Sequence, residues 1–317
     1  MRFLSVLFTM QFLLLTSSNL LAVDMLYVSM NDYTIVSFDT DSNDGDVISS
    51  TMATFANTNL NNPTGLAVDS IGNVYASNSL GNTISKFDRN GIFLSKIGGS
   101  EDLKSINSLA IDKQDNLYVM NSGQQGAISK FDSGGVYLGN IISNLDYPLG
   151  LAIDNSSNFY VSFPVNNFIS KFNSAGSYLD SIGGYTNFPQ PYILTIDSLS
   201  NLYASSQARQ NVSKYNPALQ SIGSINGLLL PFAIAIDSSD NLYVSEFNSI
   251  SGTGNISKFD SSGKLVVSWS TGSQLPYGFA VHTVTVPEPS TCALSAIAAG
   301  LIACSRRHRN LGQPKIF

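Results

Sequence analysis

Five stretches of this chain are edited copies of one unit. The clearest is PFAIAIDSSDNLYVSEFNSISGTGNISKFDSSG at 231–263, and the others start at Pro63, Ile106, Pro148 and Pro191. Their equivalent aspartates, Asp69, Asp112, Asp154, Asp197 and Asp237, lie 43, 42, 43 and 40 residues apart. A period of this size restricts the fold to a solenoid or a propeller. Within each copy, short apolar runs rich in Val, Ile, Tyr and Phe are separated by Gly, Asn, Asp, Ser and Pro. That is a pattern of strands and turns without a helical period. The copy from Pro63 holds four such runs, GLAVD, NVYAS, TISKFD and IFLSKIG, which make one four-stranded blade.

A tyrosine recurs in the second run at Tyr27, Tyr75, Tyr118, Tyr160, Tyr203 and Tyr243, so the expected fold is all-β, a six-bladed propeller. The first run carries a small residue between two larger ones, as in Leu66-Ala67-Val68 and Ile234-Ala235-Ile236, which suits a strand crowded near an axis. The chain enters this pattern at a second strand, Leu26-Tyr27-Val28-Ser29, and the missing first strand is PYGFAV at 276–281. The two ends are therefore expected to share one blade and close the ring, leaving no free sheet edge. Asp-x-x-x-Asn between strands one and two reads as a turn cap, since a short acceptor there bonds backbone N–H groups. His282 stands where the other copies carry that aspartate and is expected to be structurally neutral. Lys86, Lys130, Lys171, Lys214 and Lys258 share one register and read as polar outer positions dispersed around the ring.

The pattern P-x-G-[LI]-A-[VI]-D-x-x-x-N-[LV]-Y-V-S followed by N-x-I-S-K-F-D-x-x-G resembles the NHL-repeat class of β-propellers across about residues 24–282. The resemblance implies a closed ring that presents loops, and it leaves the function open, because such folds host binding proteins, scaffolds and enzymes.

Residues 1–22 read as a signal peptide, with Arg2 ahead of an apolar stretch at 3–15. The propeller is expected over 23–285. Val286-Pro287-Glu288-Pro289-Ser290, an apolar run over 292–304 and a basic cluster at 305–309 resemble a PEP-CTERM sorting tail, with Pro287, Glu288 and Pro289 as the motif. Residues 310–317 form a short extra tail beyond it. The resemblance implies export by a Gram-negative, exopolysaccharide-producing cell, processing by an exosortase-type enzyme, and residence at the cell surface, the outer envelope or the extracellular matrix. It also implies membrane contact only through the tail. The competing reading of the tail is a simple membrane anchor.

Both cysteines, Cys292 and Cys304, lie in the tail, so the propeller has neither a disulfide nor a thiol nucleophile. Residues 23–286 hold 11 basic and 21 acidic side chains, a net charge of −10, which argues against nucleic acid and anionic lipid as partners. The domain is expected to be monomeric. Asp39, Asp41, Asn43 and Asp46 lie in an acidic turn that suits either a calcium ion or solvent; no other cofactor is expected.

Two sets of residues are candidates for ligand binding. Tyr147, Tyr192, Phe232 and Tyr277 flank prolines in the blade-to-blade loops and bring rings towards the axis, either to stack on a ligand or to plug the channel. Asn78, Asn121 and Glu246 match one another just after second strands. By analogy with lactonases of six-bladed folds, they offer oxygens to calcium. No paired acid and base is evident, so no catalytic residue is assigned. The leading expectation is a non-enzymatic module that binds a glycan, a peptide or a surface protein. The alternative is a calcium-dependent lactonase or lyase centred near Glu246.

Overall fold

The computed structural model describes residues 20–40, 53–184 and 190–287. The unit Asp24–Val284 is the propeller. A second unit, Met1–Val23 with Thr285–Phe317, contributes only the strand ends 20–23 and 285–287 to the described residues. The propeller is all-β, six four-stranded antiparallel blades. The inner strands of blades two to six are Pro63–Val68, Ile106–Ile111, Leu151–Ile153, Pro191–Ile196 and Ile234–Ile236. Blade one is the composite foreseen from the sequence: Pro276–Pro287 lies beside Leu20–Met30, which is followed by Ile35–Asp39 and Ala53–Ala56. Ala67, Ala110, Ala152, Thr195, Ala235 and Ala280 line an axial channel of about 300 Å³. The core is distributed between blades, each cluster drawing on two neighbours.

The recurring aspartates are caps, and more than caps. In Asp237, one carboxylate oxygen accepts the N–H groups of Ser239 and Asn241 at 3.0 and 2.8 Å, as the turn reading requires. The other accepts from the Asn241 amide at 2.8 Å and the Tyr243 hydroxyl at 3.0 Å. Asp69, Asp112, Asp154 and Asp197 repeat this set. Burial, and after it the neighbouring aspartate, pushes the Tyr75, Tyr118, Tyr160 and Tyr243 hydroxyls above their ordinary pKa, so they remain protonated donors.

The lysines do not sit on a solvated outer face. Lys86, Lys171, Lys214 and Lys258 pair with the aspartate of their own blade at 3.2–4.0 Å. All five ammonium groups lie 4.7–5.3 Å over the ring of the blade's tyrosine. The physical reason is cross-strand register: Lys86 is directly opposite Tyr75, and Lys258 opposite Tyr243, so each lysine stem covers a ring and carries its charge to the carboxylate.

Blade junctions depend on two small residues. The glycine of the P-x-G segment has no room for a side chain: a Cβ at Gly65, Gly150 or Gly278 would strike the carbonyl oxygen of Asn107, Tyr192 or Thr64 on the next blade. Beside it, a buried second-strand serine joins the same two chains. Ser162 accepts the Gly150 N–H at 2.8 Å and donates to the Tyr192 carbonyl at 2.6 Å. Ser77 bridges Gly65 and Asn107 in the same way, and Ser205 bridges Ile193 and Phe232. Ser162→Ala should therefore leave two buried backbone groups without partners. The expected loss is about 1–3 kcal/mol, read as a lower urea midpoint with unchanged slope.

Candidate functional site

Residues that follow the P-position of each inner strand form the mouth of the channel on the side of the second-to-third-strand loops. They are Thr64, Asn107, Leu149, Phe232 and Tyr277, with the Tyr192 ring packed beside Phe232. The glycine and serine contacts just described hold four of their backbone carbonyls. The rigid junction thus fixes the site.

One half of the mouth is aromatic. The rings of Tyr192 and Phe232 are 5.6 Å apart at 53°, and those of Phe232 and Tyr277 are 6.0 Å apart at 67°. These are edge-on arrangements that pack without forming one flat platform. Phe232 and Tyr277 also border a second cavity of about 170 Å³, together with Leu230, Phe247, Leu275 and Pro276. Tyr147 is not part of this arc. It precedes its proline instead of following it, in a left-handed turn that lies outside the inner strand. It is 46% exposed with φ of +48°, and Leu149 takes the corresponding place at the channel.

Asn78, Asn121 and Glu246 occupy the same position in blades two, three and six, where each fastens its own blade. Asn78 Oδ1 accepts the Asn61 N–H at 2.8 Å, and its amide donates to Ser85 at 2.9 Å. Asn121 accepts from Lys104 at 2.9 Å and donates to Ser129 at 2.7 Å. Glu246 accepts from the Leu229 N–H at 3.0 Å and the Ser257 hydroxyl at 2.6 Å. Of the three, Glu246 alone reaches the apolar cavity. Among the described residues, no three His, Cys, Asp or Glu gather as a metal site. Asp39 ends a strand and is exposed, whereas Asp41, Asn43 and Asp46 lie outside the described residues. Pro287 closes the last strand, and Glu288 and Pro289 fall outside the described residues.

His282 lies in the middle of the strand Pro276–Pro287, its ring against Gly72 of the Asp69 turn. Burial lowers its pKa, against the opposing influence of Asp69 and Asp24. The junction serines were not singled out from the sequence. Their signal was present, as the final residue of the Y-V-S motif.

No protein-family model matches the chain, and no curated protein sequence matches it. Solved structures do share the fold. The propeller in a nidogen/laminin complex aligns with a TM-score of 0.69 at 19% identity, over 82% of this chain and 98% of that one. A protein of unknown function from Bacteroides caccae aligns with a TM-score of 0.65 at 13% identity, over 82% and 98% of the two chains. A gluconolactonase from Xanthomonas campestris aligns with a TM-score of 0.57 at 18% identity, over 68% and 76%. The chain is thus similar in fold both to a module solved in a protein complex and to an enzyme, and at these identities the likeness is one of fold alone.

Proposed function

We propose that the protein is an exported binding module whose partner is a polypeptide seated on the aromatic half of the channel mouth. The observation that carries this reading is the placing of Phe232 and Tyr277, with Tyr192 packed behind Phe232, on an apolar cavity of about 170 Å³. Buried aromatic anchors around a small apolar pocket are the common core of protein interfaces. The cavity suits one apolar side chain, because Leu230, Phe232, Phe247, Leu275, Pro276 and Tyr277 make up most of its lining.

The test is a random peptide library panned on the full chain. Enriched peptides should share an aromatic or aliphatic anchor. Tyr277→Ala and Phe247→Ala should each weaken their binding about tenfold or more while the melting curve is kept. Absence of enrichment, or binding that both variants retain, would refute the reading.

The alternative, a calcium-dependent lactonase or lyase near Glu246, draws on the likeness to the gluconolactonase fold. Under it, purified protein should carry an ion that Glu246→Gln removes; under the leading proposal that substitution changes no metal content.

We assign the repeats to the NHL type, on the P-x-G, Asp-x-x-x-Asn and Tyr positions whose packing is described above. We assign residues 286–309 to a PEP-CTERM-type tail and residues 1–22 to a signal peptide. The proposed destination is the cell surface or an exopolysaccharide matrix. Intact mass of the chain recovered from an exosortase-bearing Gram-negative host should lack both segments. An uncut tail would refute the sorting assignment.

A further inference from the structure

The composite first blade departs from its five sisters at two linked positions. His282 follows Val281 as Asp69 follows Val68, so an imidazole stands where the sisters carry the turn aspartate. Ser37 is directly opposite Tyr27, the place that Lys86 takes opposite Tyr75. Acid and lysine are therefore both missing from the same blade, which has an imidazole and a hydroxyl where four sisters hold an ion pair.

The strand that carries His282, Pro276–Pro287, is the one that closes the ring beside Leu20–Met30. Its imidazole lies against blade two: a Cβ at Gly72 would be 3.1 Å from Nε2, with the stem of Arg89 on the other side at 3.4 Å. Two carboxylates act on the ring, Asp69 from the blade-two turn and Asp24 from the adjoining strand. Both are already engaged. Asp69 accepts from Asn73 and Tyr75 and pairs with Lys86 at 3.7 Å. Asp24, 5% exposed, accepts from Ser238 of blade six at 3.1 and 3.2 Å and from the Thr283 hydroxyl. On the blade-six side, Asp237 is paired with Lys258 at 3.7 Å, and Asp240 accepts from Ser198. Among the described residues, no carboxylate forms an ion pair with the imidazole. A proton on this ring would place a charge at a half-buried junction without a partner in contact, which disfavours the closed seam.

We propose that His282 is an acid-sensitive latch on the seam, its neutral ring holding the closing strand in place and its protonation loosening that strand from blades one and two. The latch is independent of the polypeptide reading of the channel mouth.

The direction follows from linkage. Burial lowers the pKa of the ring by more than Asp69 and Asp24 raise it. The closed seam then binds this proton less readily than an open one, where a histidine titrates near its ordinary value of about 6.5. Stability at the seam is complete above that value and is lost as pH falls from it towards the lower folded value. His282 is the one histidine of residues 24–284, and histidine is the side chain whose ordinary pKa lies between about pH 5 and 8. The sister blades, closed by aspartate, have no such group.

The experiment is hydrogen exchange read by mass spectrometry on the full chain at about pH 7.5 and pH 5.5, each corrected for the intrinsic exchange rate. Peptides covering 24–30 and 276–282 should lose protection at the lower pH by several-fold, up to about tenfold, the limit for a group one unit below a pKa near 6.5. Peptides covering Phe159–Phe163 in blade four should keep theirs. His282→Gln, uncharged throughout, should remove the acid effect. His282→Asp combined with Ser37→Lys rebuilds the sister arrangement and should remove it too, so the test stands even if His282→Gln fails to fold. Equal seam protection of the native chain at the two pH values, an acid effect that survives in either variant, or one as large in blade four as at the seam would overturn the assignment.

Discussion

Gly278→Val is expected to reduce stability by about 3–5 kcal/mol, the range of severe core lesions, and to lower the melting temperature by roughly 10 °C or more. The cause is local and hard. A Cβ at this position runs into the carbonyl of Thr64, a backbone group that the Ser29 hydroxyl also holds at 2.9 Å. Neither side can swing away as a flexible side chain would, so relief requires the inner strand of blade one to separate from blade two. Gly223→Val is the control. Its Cβ meets open space, and a strand position that gains a β-branched residue should be neutral or slightly more stable. Equal losses in the two variants would show that the junction glycine is not a steric requirement.

Asp237→Ala should be equally severe, about 3–5 kcal/mol, for an electrostatic reason. It strands Lys258, which is 7% exposed and 3.7 Å from the carboxylate, and it removes the acceptor of the Tyr243 hydroxyl and of two backbone N–H groups. Adding Lys258→Met should recover part of the loss, because the stranded charge is then gone while the tyrosine ring keeps an apolar cover. A double variant no more stable than Asp237→Ala would assign the whole effect to turn capping. Chemical denaturation of the four proteins completes the cycle.

The blade count and the ring closure were legible in the sequence because both follow from period and from which strand is missing at each end. The aspartate turns were legible for half of their role. Spacing to Asn73 or Asn241 reveals a cap, but the tyrosine and lysine partners are set by cross-strand register, which becomes visible only once strands two and three are aligned. Asn78, Asn121 and Glu246 have a fastening role that the sequence could not show, because their backbone partners Asn61, Lys104 and Leu229 are set by the fold. Tyr147 stands apart from Tyr192, Phe232 and Tyr277 because it precedes its proline in a left-handed turn, a backbone state that a list of aromatic–proline pairs does not reveal.

The shared first blade has a consequence for how the chain reaches its native state. Blade-to-blade hydrogen bonds elsewhere join residues no more than 46 apart, as between Ser205 and Phe232, 27 apart, or Lys171 and Pro217, 46 apart. At the seam, Leu275 bonds Asn31 across 244 residues and Thr283 bonds Asp24 across 259. Five blades can therefore assemble from nearby sequence as the chain emerges, whereas the sixth must wait for the last strand to arrive. Contacts of such separation are slow to form. The seam is therefore expected to set the slowest step of folding, and with it the window in which the unpaired first strand is open to a protease or to the final strand of another copy.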